Sequence, residues 1–220
     1  MGKRMDADRE RVRCSNCGYE GKQNELKIFK DTSYIELSFS IKGIPKEERD
    51  TMVQCCPKCG LCLGRLDEDI LASDQVLKTR EYTYSEMPEE SRPFLKAANV
   101  YLSANRKKDG VRYLVYGAQL IENKEKKTAC YAEAAEIYLN LYEENRCGRD
   151  WENLLAIDVM RRAGWFKLVH VLCRDWDKNK TENKRYRMQY MIRLEEQLAL
   201  REDDSEYSYI DLMQMAFRTN

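Results

Sequence analysis

Two short cysteine motifs constrain the fold of this chain more than any other feature. Residues 14–18 read Cys-Ser-Asn-Cys-Gly and residues 56–60 read Cys-Pro-Lys-Cys-Gly. A tight turn with this spacing puts two sulfurs on the same side of a cation and directs backbone amides at them. Glycine follows because that position often needs a positive φ. Two such turns facing each other supply four thiolates in the tetrahedral geometry of structural zinc.

The sequence therefore predicts one structural metal site, occupied by zinc and formed by Cys14, Cys17, Cys56 and Cys59. Each pair follows a short segment that favours a β-strand, at 11–13 and at 52–55, as a zinc ribbon requires. A closed site of four thiolates has no open position for water or substrate, so its predicted role is structural.

The second motif leaves other ligand choices open, because Cys55 and Cys62 flank it. We prefer Cys56 and Cys59, since proline and glycine accompany that pair alone. Cys62 is then expected against the turn as a small apolar residue, with Cys55 pointing away from the metal. Because we predict a cytoplasmic protein, and that compartment is reducing, we expect no disulfides among the nine cysteines.

Iron is the alternative metal. Both cysteine motifs resemble the turns of rubredoxins, which bind a redox-active iron through the same Cys-x-x-Cys-Gly spacing. That resemblance implies an electron carrier instead of a structural zinc site. The aromatic packing that accompanies rubredoxin turns is not evident in this sequence, which favours zinc.

Up to about residue 80 the apolar residues recur with the period of two that is typical of strands. Residues 34–41 put Ile35, Leu37, Phe39 and Ile41 on one face, and residues 26–29 form a partner strand. This hairpin fills the 38 residues between the two cysteine pairs. We therefore predict a small N-terminal β zinc ribbon over residues 1–80.

After about residue 88 the period changes to that of helices. About six helices with short loops are predicted over residues 81–220, packed as an all-α antiparallel bundle, so the fold class is α+β. Breaks are predicted at 109–110, at 147–148 and at Gly164, and residues 202–206 are expected to be solvated. The predicted inward positions are Phe94, Ala97, Ala98, Tyr101, Val111, Leu114, Val115, Ala118, Ile121, Cys130, Tyr131, Ala134, Ala135, Tyr138, Leu141, Tyr142, Trp151, Leu154, Leu155, Val159, Trp165, Leu168, Val169, Leu172, Trp176, Tyr190, Met191, Leu194 and Leu198.

One helix junction carries a further resemblance. Within residues 156–167 a helix ends Arg-Arg-Ala-Gly and is followed by Trp165 and a new helix. This resembles the turn of tetratricopeptide-like (TPR-like) repeats, as do the small and aromatic residues of 129–138. The order of the two regions along the chain resembles an uncharacterised bacterial family. In that family a zinc ribbon with two Cys-x-x-Cys turns precedes a TPR-like helical region. The resemblance implies the same four cysteine ligands and leaves the activity open.

Charge argues against a general affinity for polyanions, because Lys plus Arg and Asp plus Glu both number 38. A local patch formed by Arg11, Arg13, Lys22, Lys27 and Lys30 is the basis for an alternative function, nucleic-acid binding through the ribbon. Acidic residues at 6, 8 and 10 interleave with the N-terminal arginines and weaken that alternative.

No membrane partner is expected, because the chain has no run of the ~20 apolar residues that a membrane-spanning helix needs. The charged N-terminus has no apolar segment of the kind found in secretion signals, so we predict a cytoplasmic protein.

Catalytic motifs are not evident. His170 is the only histidine and Cys173 lies one helical turn further on, but an ordinary helix histidine beside a core cysteine is the simpler interpretation. We therefore predict a non-enzymatic module that interacts with another protein.

Overall fold

The structure is a computed structural model of the chain. It describes residues 9–24, 41, 44–72, 76–77, 84–143, 150–178, 186–207, 211 and 214–215. The chain divides into two compact units, one formed by residues 1–32 and 41–121 and the other by residues 33–40 and 122–220. Each unit is described separately below.

The described part of the first unit contains four strands and three helices. Its elements are β1 (Arg9–Arg13), β2 (Glu20–Asn24), α1 (Lys46–Arg49), β3 (Gln54–Cys55), β4 (Cys62–Leu63), α2 (Arg92–Ser103) and α3 (Lys107–Gln119). Strands β1 and β2 form one antiparallel pair, and β3 and β4 form another. The described part of the second unit is helical, with α4 (Lys124–Glu143), α5 (Asp150–Arg162), α6 (Phe166–Lys178) and α7 (Tyr186–Leu200). This order confirms the predicted α+β class.

The strands agree with the sequence only in part. The segments predicted at 11–13 and 52–55 correspond to β1 and β3, whereas β2 and β4 were not predicted. Strand β2 reads Glu-Gly-Lys-Gln-Asn and has no apolar alternation, and β4 is only two residues long. The predicted hairpin at 26–41 lies outside the described residues, except for Ile41. That residue is buried and donates its backbone N–H to the side-chain Oε1 of Gln119 at 2.7 Å.

The first two long helices pack with the strands. Tyr101 of α2 accepts a hydrogen bond from the Gly64 N–H at 2.9 Å and donates one to Glu68 at 2.6 Å. Its ring stacks on Tyr113 of α3 at a centroid distance of 5.2 Å. The first compact unit therefore extends well past the change in periodicity near residue 80. The predicted division at residue 80 concerns which residues fold independently, and it stays a prediction.

The break predicted at 109–110 is wrong, because α3 begins at Lys107 and continues through Gly110. The reason is close helix packing. A Cβ at Gly110 would lie 2.6 Å from Leu102 Cδ2, and one at Gly117 would lie 2.6 Å from Leu95 Cδ2. The reversed order of these two contacts shows that α2 and α3 are antiparallel. The two glycines permit this close approach.

Replacing Gly117 by valine is expected to destabilise the first unit by about 1–3 kcal/mol, since the added carbons overlap Leu95. Arg112→Val is the matched control, because it adds the same β-branched residue to an exposed position of α3. Urea unfolding followed by far-UV circular dichroism measures the loss. Equal stabilities for the two variants would contradict the close packing.

The second unit is built around α5, which contacts α4, α6 and α7. Most of its predicted inward residues are buried, apart from Trp151, whose side chain lies outside the described part of the chain. Tyr190 is the clear exception, because 46% of it is exposed. The predicted stop at Gly164 is confirmed: α5 ends at Arg162 and Gly164 has a φ of +80°. The break predicted at 147–148 lies outside the described residues.

Helix α5 carries a buried ionic cluster, formed by Asp158, Arg161, Arg162 and, from α7, Glu195. Arg161 Nε donates to Glu195 at 2.6 Å and Arg161 Nη2 donates to Asp158 at 2.8 Å. Arg162 Nη2 lies 2.6 Å from the second oxygen of Asp158. All four residues are at most 2% exposed. The two arginines therefore form part of the core.

The same cluster holds the chain beyond α7. Arg161 Nη1 donates to the carbonyl oxygens of Asp203 and Ser205, both at 2.8 Å. Tyr131 of α4 donates to the Glu206 carboxylate at 2.7 Å. None of residues 202–206 is buried, so the expectation that they are solvated holds for their side chains. What was not predicted is that a buried arginine anchors the segment through two of its backbone carbonyls.

Glu195 is expected to make the second unit less stable as the pH rises. Burial raises the pKa of this carboxyl from 4.5 to about 7. Between these values the folded state binds a proton that the unfolded state has released, so the free energy of unfolding falls with rising pH. The three tryptophans all belong to this unit, so urea unfolding followed by tryptophan fluorescence measures it. Glu195→Gln should remove this part of the slope, and an unchanged slope would contradict the assignment.

Candidate metal centre

The first cysteine turn follows β1. Cys14 donates its N–H to the Tyr19 carbonyl at 2.8 Å, and Gly18 donates its N–H to the Cys14 carbonyl at 2.9 Å. Gly18 has a φ of +67°, a conformation that is unfavourable for residues with a Cβ. These bonds hold Cys14 and Cys17 on one tight turn.

The second turn repeats this geometry between β3 and β4. Cys56 donates its N–H to the Leu61 carbonyl at 2.7 Å, and Gly60 donates its N–H to the Cys56 carbonyl at 3.0 Å. Gly60 has a φ of +76°. The positive φ that the spacing predicts after each cysteine pair is therefore found in both turns.

The four predicted ligands lie together. Cys17 Sγ is 3.6 Å from Cys56 Sγ, and Cys14 Sγ is 3.8 Å from Cys59 Sγ. All four sulfurs lie within 4.8 Å of one another. A regular tetrahedron with metal–sulfur bonds of ~2.3 Å has sulfur–sulfur edges of roughly 3.8 Å. The cluster could therefore hold a metal ion with little movement.

The environments of the thiols differ. Burial raises the pKa of Cys14 to about 12 and also raises the pKa of Cys59. A hydrogen bond from the backbone N–H of Tyr19 is the main reason why the pKa of Cys17 is lowered to about 7. A bound cation would favour the thiolate at every position, so binding would release protons from the thiols that burial keeps neutral.

Backbone amides point at the sulfurs, as the turn spacing predicts. Cys14 receives hydrogen bonds from the backbone of Asn16 and Cys17, and both lower its pKa. Cys59 receives a bond from the backbone of Leu61 and another from the Asn16 side chain. Asn16 therefore links the first turn to a sulfur of the second.

A loop after β4 links the two cysteine turns through hydrogen bonds. The sequence did not predict this loop. Leu66 accepts a bond from the Ser15 N–H at 2.8 Å and donates its own N–H to Gln54 Oε1 at 3.0 Å. Ser15 Oγ donates to the Ile70 carbonyl at 2.9 Å. The acceptors here are mainly backbone carbonyls, and no side-chain pattern in the sequence signals such contacts.

Cys55 and Cys62 form a disulfide. The expectation that the chain has no disulfides is therefore wrong, as is the placement of Cys62 as a free apolar residue. The two residues are direct partners across β3 and β4, which brings their sulfurs together. The disulfide also excludes Cys55 and Cys62 as metal ligands in this state, because disulfide sulfurs are not thiolates.

The other candidate pair gains no support as a site. His170 Nδ1 lies 3.0 Å from a carboxylate oxygen of Glu196, and Cys173 is buried. Among the residues that the structure describes, the four-cysteine cluster is the only group of metal-binding side chains with suitable geometry.

Fold and site together define an α+β protein with a four-cysteine cluster that could hold a metal ion. Comparisons with protein-family models, curated proteins and solved structures find no match for this chain. The resemblance to a bacterial family with a tetratricopeptide-like region therefore stays a prediction. No helix in the described part of the chain is long and apolar enough to cross a membrane.

Proposed function

We propose that this chain is a zinc-binding, non-enzymatic module of the cytoplasm that binds another protein through its helical region. The observation that supports a metal site is the four-sulfur cluster, whose 3.6 and 3.8 Å separations fit a tetrahedral ion. Four thiolates saturate such an ion, so the metal has a structural role and stabilises the two turns.

Elemental analysis of the full-length protein, purified without chelator, tests the metal. One equivalent of zinc and a colourless solution are expected. One equivalent of iron with a visible chromophore would replace this proposal by the rubredoxin-like electron carrier, because four thiolates also suit iron. A folded sample with no metal would reject both.

The protein-binding part is supported by exposed apolar side chains on α6 and α7. Val171 is 51% exposed and Tyr190 is 46% exposed. Packed helix pairs offer extended surfaces, and tyrosine is enriched at interfaces between proteins. Such a surface suits a partner that presents an apolar patch of its own.

Affinity capture with the tagged full-length chain, followed by measurement with the purified partner, tests this surface. The double variant Val171→Asp/Tyr190→Asp is expected to weaken binding at least tenfold. Leu71→Asp is the matched control, because Leu71 is an exposed apolar residue of the other unit. Equal binding by the wild-type protein, the double variant and the control would reject the assignment of the binding surface to α6 and α7.

A second candidate function, nucleic-acid binding, gains support from β1. The strand puts Arg11 and Arg13 on its exposed side. Glu10 points to the other face, where its carboxylate accepts a hydrogen bond from the Gln54 side chain. Lys22 is exposed and pairs with Arg11 across the sheet. Glu10 therefore does not neutralise this face, but the exposed Glu20, which pairs with Arg13 across the sheet, offsets part of its charge. The other two lysines of the predicted patch, Lys27 and Lys30, lie outside the described residues. Binding to single-stranded DNA that weakens steeply with salt and is lost in Arg11→Ala/Arg13→Ala would support this candidate, and no binding at low salt would reject it.

A further inference from the structure

The Cys55–Cys62 bridge encloses the second cysteine turn. Its two cysteines are seven positions apart, and both Cys56 and Cys59 lie between them. The turn is thus closed at its base by a covalent bond and, in the proposed holoprotein, at its tip by the metal. Both closures act on the same short segment.

Without the bridge, a small number of hydrogen bonds holds this segment in shape. The strands β3 and β4 pair at only two positions, Gln54 with Leu63 and Cys55 with Cys62. Opening the bridge leaves this short ladder and two bonds within the turn, from Cys56 N–H to the Leu61 carbonyl and from Gly60 N–H to the Cys56 carbonyl. The Gln23 side chain also donates to the Cys55 carbonyl at 3.5 Å. A bridge that closes a short loop restricts the open forms of the turn, so the ligands stay preorganised.

Reduction also creates two new thiols that are close in sequence to the ligands. One of them, on Cys55, is adjacent in sequence to the ligand Cys56, and the other, on Cys62, is three residues from the ligand Cys59. A thiolate this close along the chain would compete with a neighbouring ligand for the metal and so open a stepwise route for metal transfer to an acceptor. The bridged form has no such competing thiolates.

We propose that Cys55 and Cys62 are a reversible redox site that controls how fast the four-cysteine centre releases its metal. The proposal rests on the proposed function, because it requires a bound metal. The oxidised pair retains the metal, and the reduced pair releases it faster. The co-reactant is a small-molecule thiol and its disulfide, such as glutathione.

The exchange proceeds in two balanced steps. Cys55 is the more exposed of the two, so an external thiolate attacks its sulfur, and the Cys55–Cys62 bond breaks. The electron pair leaves on Cys62 as a thiolate, which takes up a proton, while Cys55 forms a mixed disulfide. A second external thiolate attacks the mixed disulfide and frees Cys55. In sum, one protein disulfide and two small thiols give two protein thiols and one small disulfide.

The test uses the full-length protein loaded with one equivalent of zinc and equilibrated without air in reducing or oxidising glutathione buffer. Alkylation and mass spectrometry count the free thiols in each state, and elemental analysis measures bound zinc. Release of zinc to a chromophoric chelator is then timed. We expect release to be about tenfold or more faster from the reduced protein.

Two variants define the controls. Cys55→Ser/Cys62→Ser removes the pair, so its release rate should no longer depend on the glutathione ratio. Cys130→Ser removes a buried cysteine of the second unit that takes no part in the disulfide, and this variant should keep the dependence. The comparison of reduced with oxidised wild-type protein needs no variant, so the test still decides if the double variant does not fold.

The possible failures are distinguishable. Protein that holds no zinc in either state would overturn the proposed function and this proposal with it. Protein that holds zinc in both states and releases it at the same rate would overturn the redox proposal alone. Failure of the bridge to form in any oxidising buffer that leaves zinc bound would overturn it as well.

Discussion

Replacing Cys14 by serine is expected to abolish stoichiometric metal binding and to unfold the turns at the start of the chain. Cys14 is 1% exposed and its sulfur is one vertex of the cluster. Structural zinc sites typically contribute ~10–16 kcal/mol of apparent folding free energy, and this contribution depends on the full set of thiolates. Substituting a residue that only orients a metal ligand typically lowers metal affinity by roughly 10- to 100-fold. Replacing a ligand itself should lower the metal affinity by more than that.

Cys130→Ser is the matched control for this variant. Cys130 is also a buried cysteine outside the disulfide, but it lies on α4 in the other compact unit. It should keep one equivalent of metal, whatever its effect on the stability of the helices. Competition with a chelator measures the affinity of both variants. Wild-type affinity in Cys14→Ser would show that the cluster is not the metal site.

Replacing Arg161 by methionine is expected to destabilise the second unit by about 3–5 kcal/mol, the usual cost of leaving a buried charge unpaired. The variant removes the partner of Glu195 and one of the partners of Asp158. It also leaves the carbonyls of Asp203 and Ser205 without this donor. Urea unfolding followed by tryptophan fluorescence measures the change in this unit.

Arg174→Met is the matched control, because Arg174 is an exposed arginine on α6 and its loss should change stability by less than about 0.5 kcal/mol. The double variant Arg161→Met/Glu195→Met should recover part of the loss, since it leaves Arg162 and Asp158 as a balanced pair. Similar stabilities for Arg161→Met and Arg174→Met would contradict the importance of the cluster.

If both predictions hold, the two units depend on different stabilising chemistry. The first relies on a metal and a neighbouring bridge, and the second relies on a helical core with balanced charges. Removing the metal should then leave the tryptophan fluorescence of the second unit largely unchanged. The redox proposal concerns the first unit alone, so its effects should be confined there as well.

Spacing along the chain was enough to predict the four-cysteine cluster and most of the helices. Each cysteine turn is closed by bonds between residues four or five positions apart, so its geometry follows from the local sequence and from a glycine that accepts a positive φ. The helical stripes are equally local, because a period of 3.6 residues decides which side chains share a face. Those features could therefore be predicted without any knowledge of the packing.

Only the tertiary structure decided the contacts between distant segments. The register of β3 and β4 determines that Cys55 meets Cys62, and the packing of α2 on α3 explains why Gly110 continues a helix instead of ending it. Burial of Arg161 depends on Glu195, 34 positions away. Sequence spacing specifies neighbours within a turn or along one face. Register, close approach and burial depend on which segments the whole chain brings together.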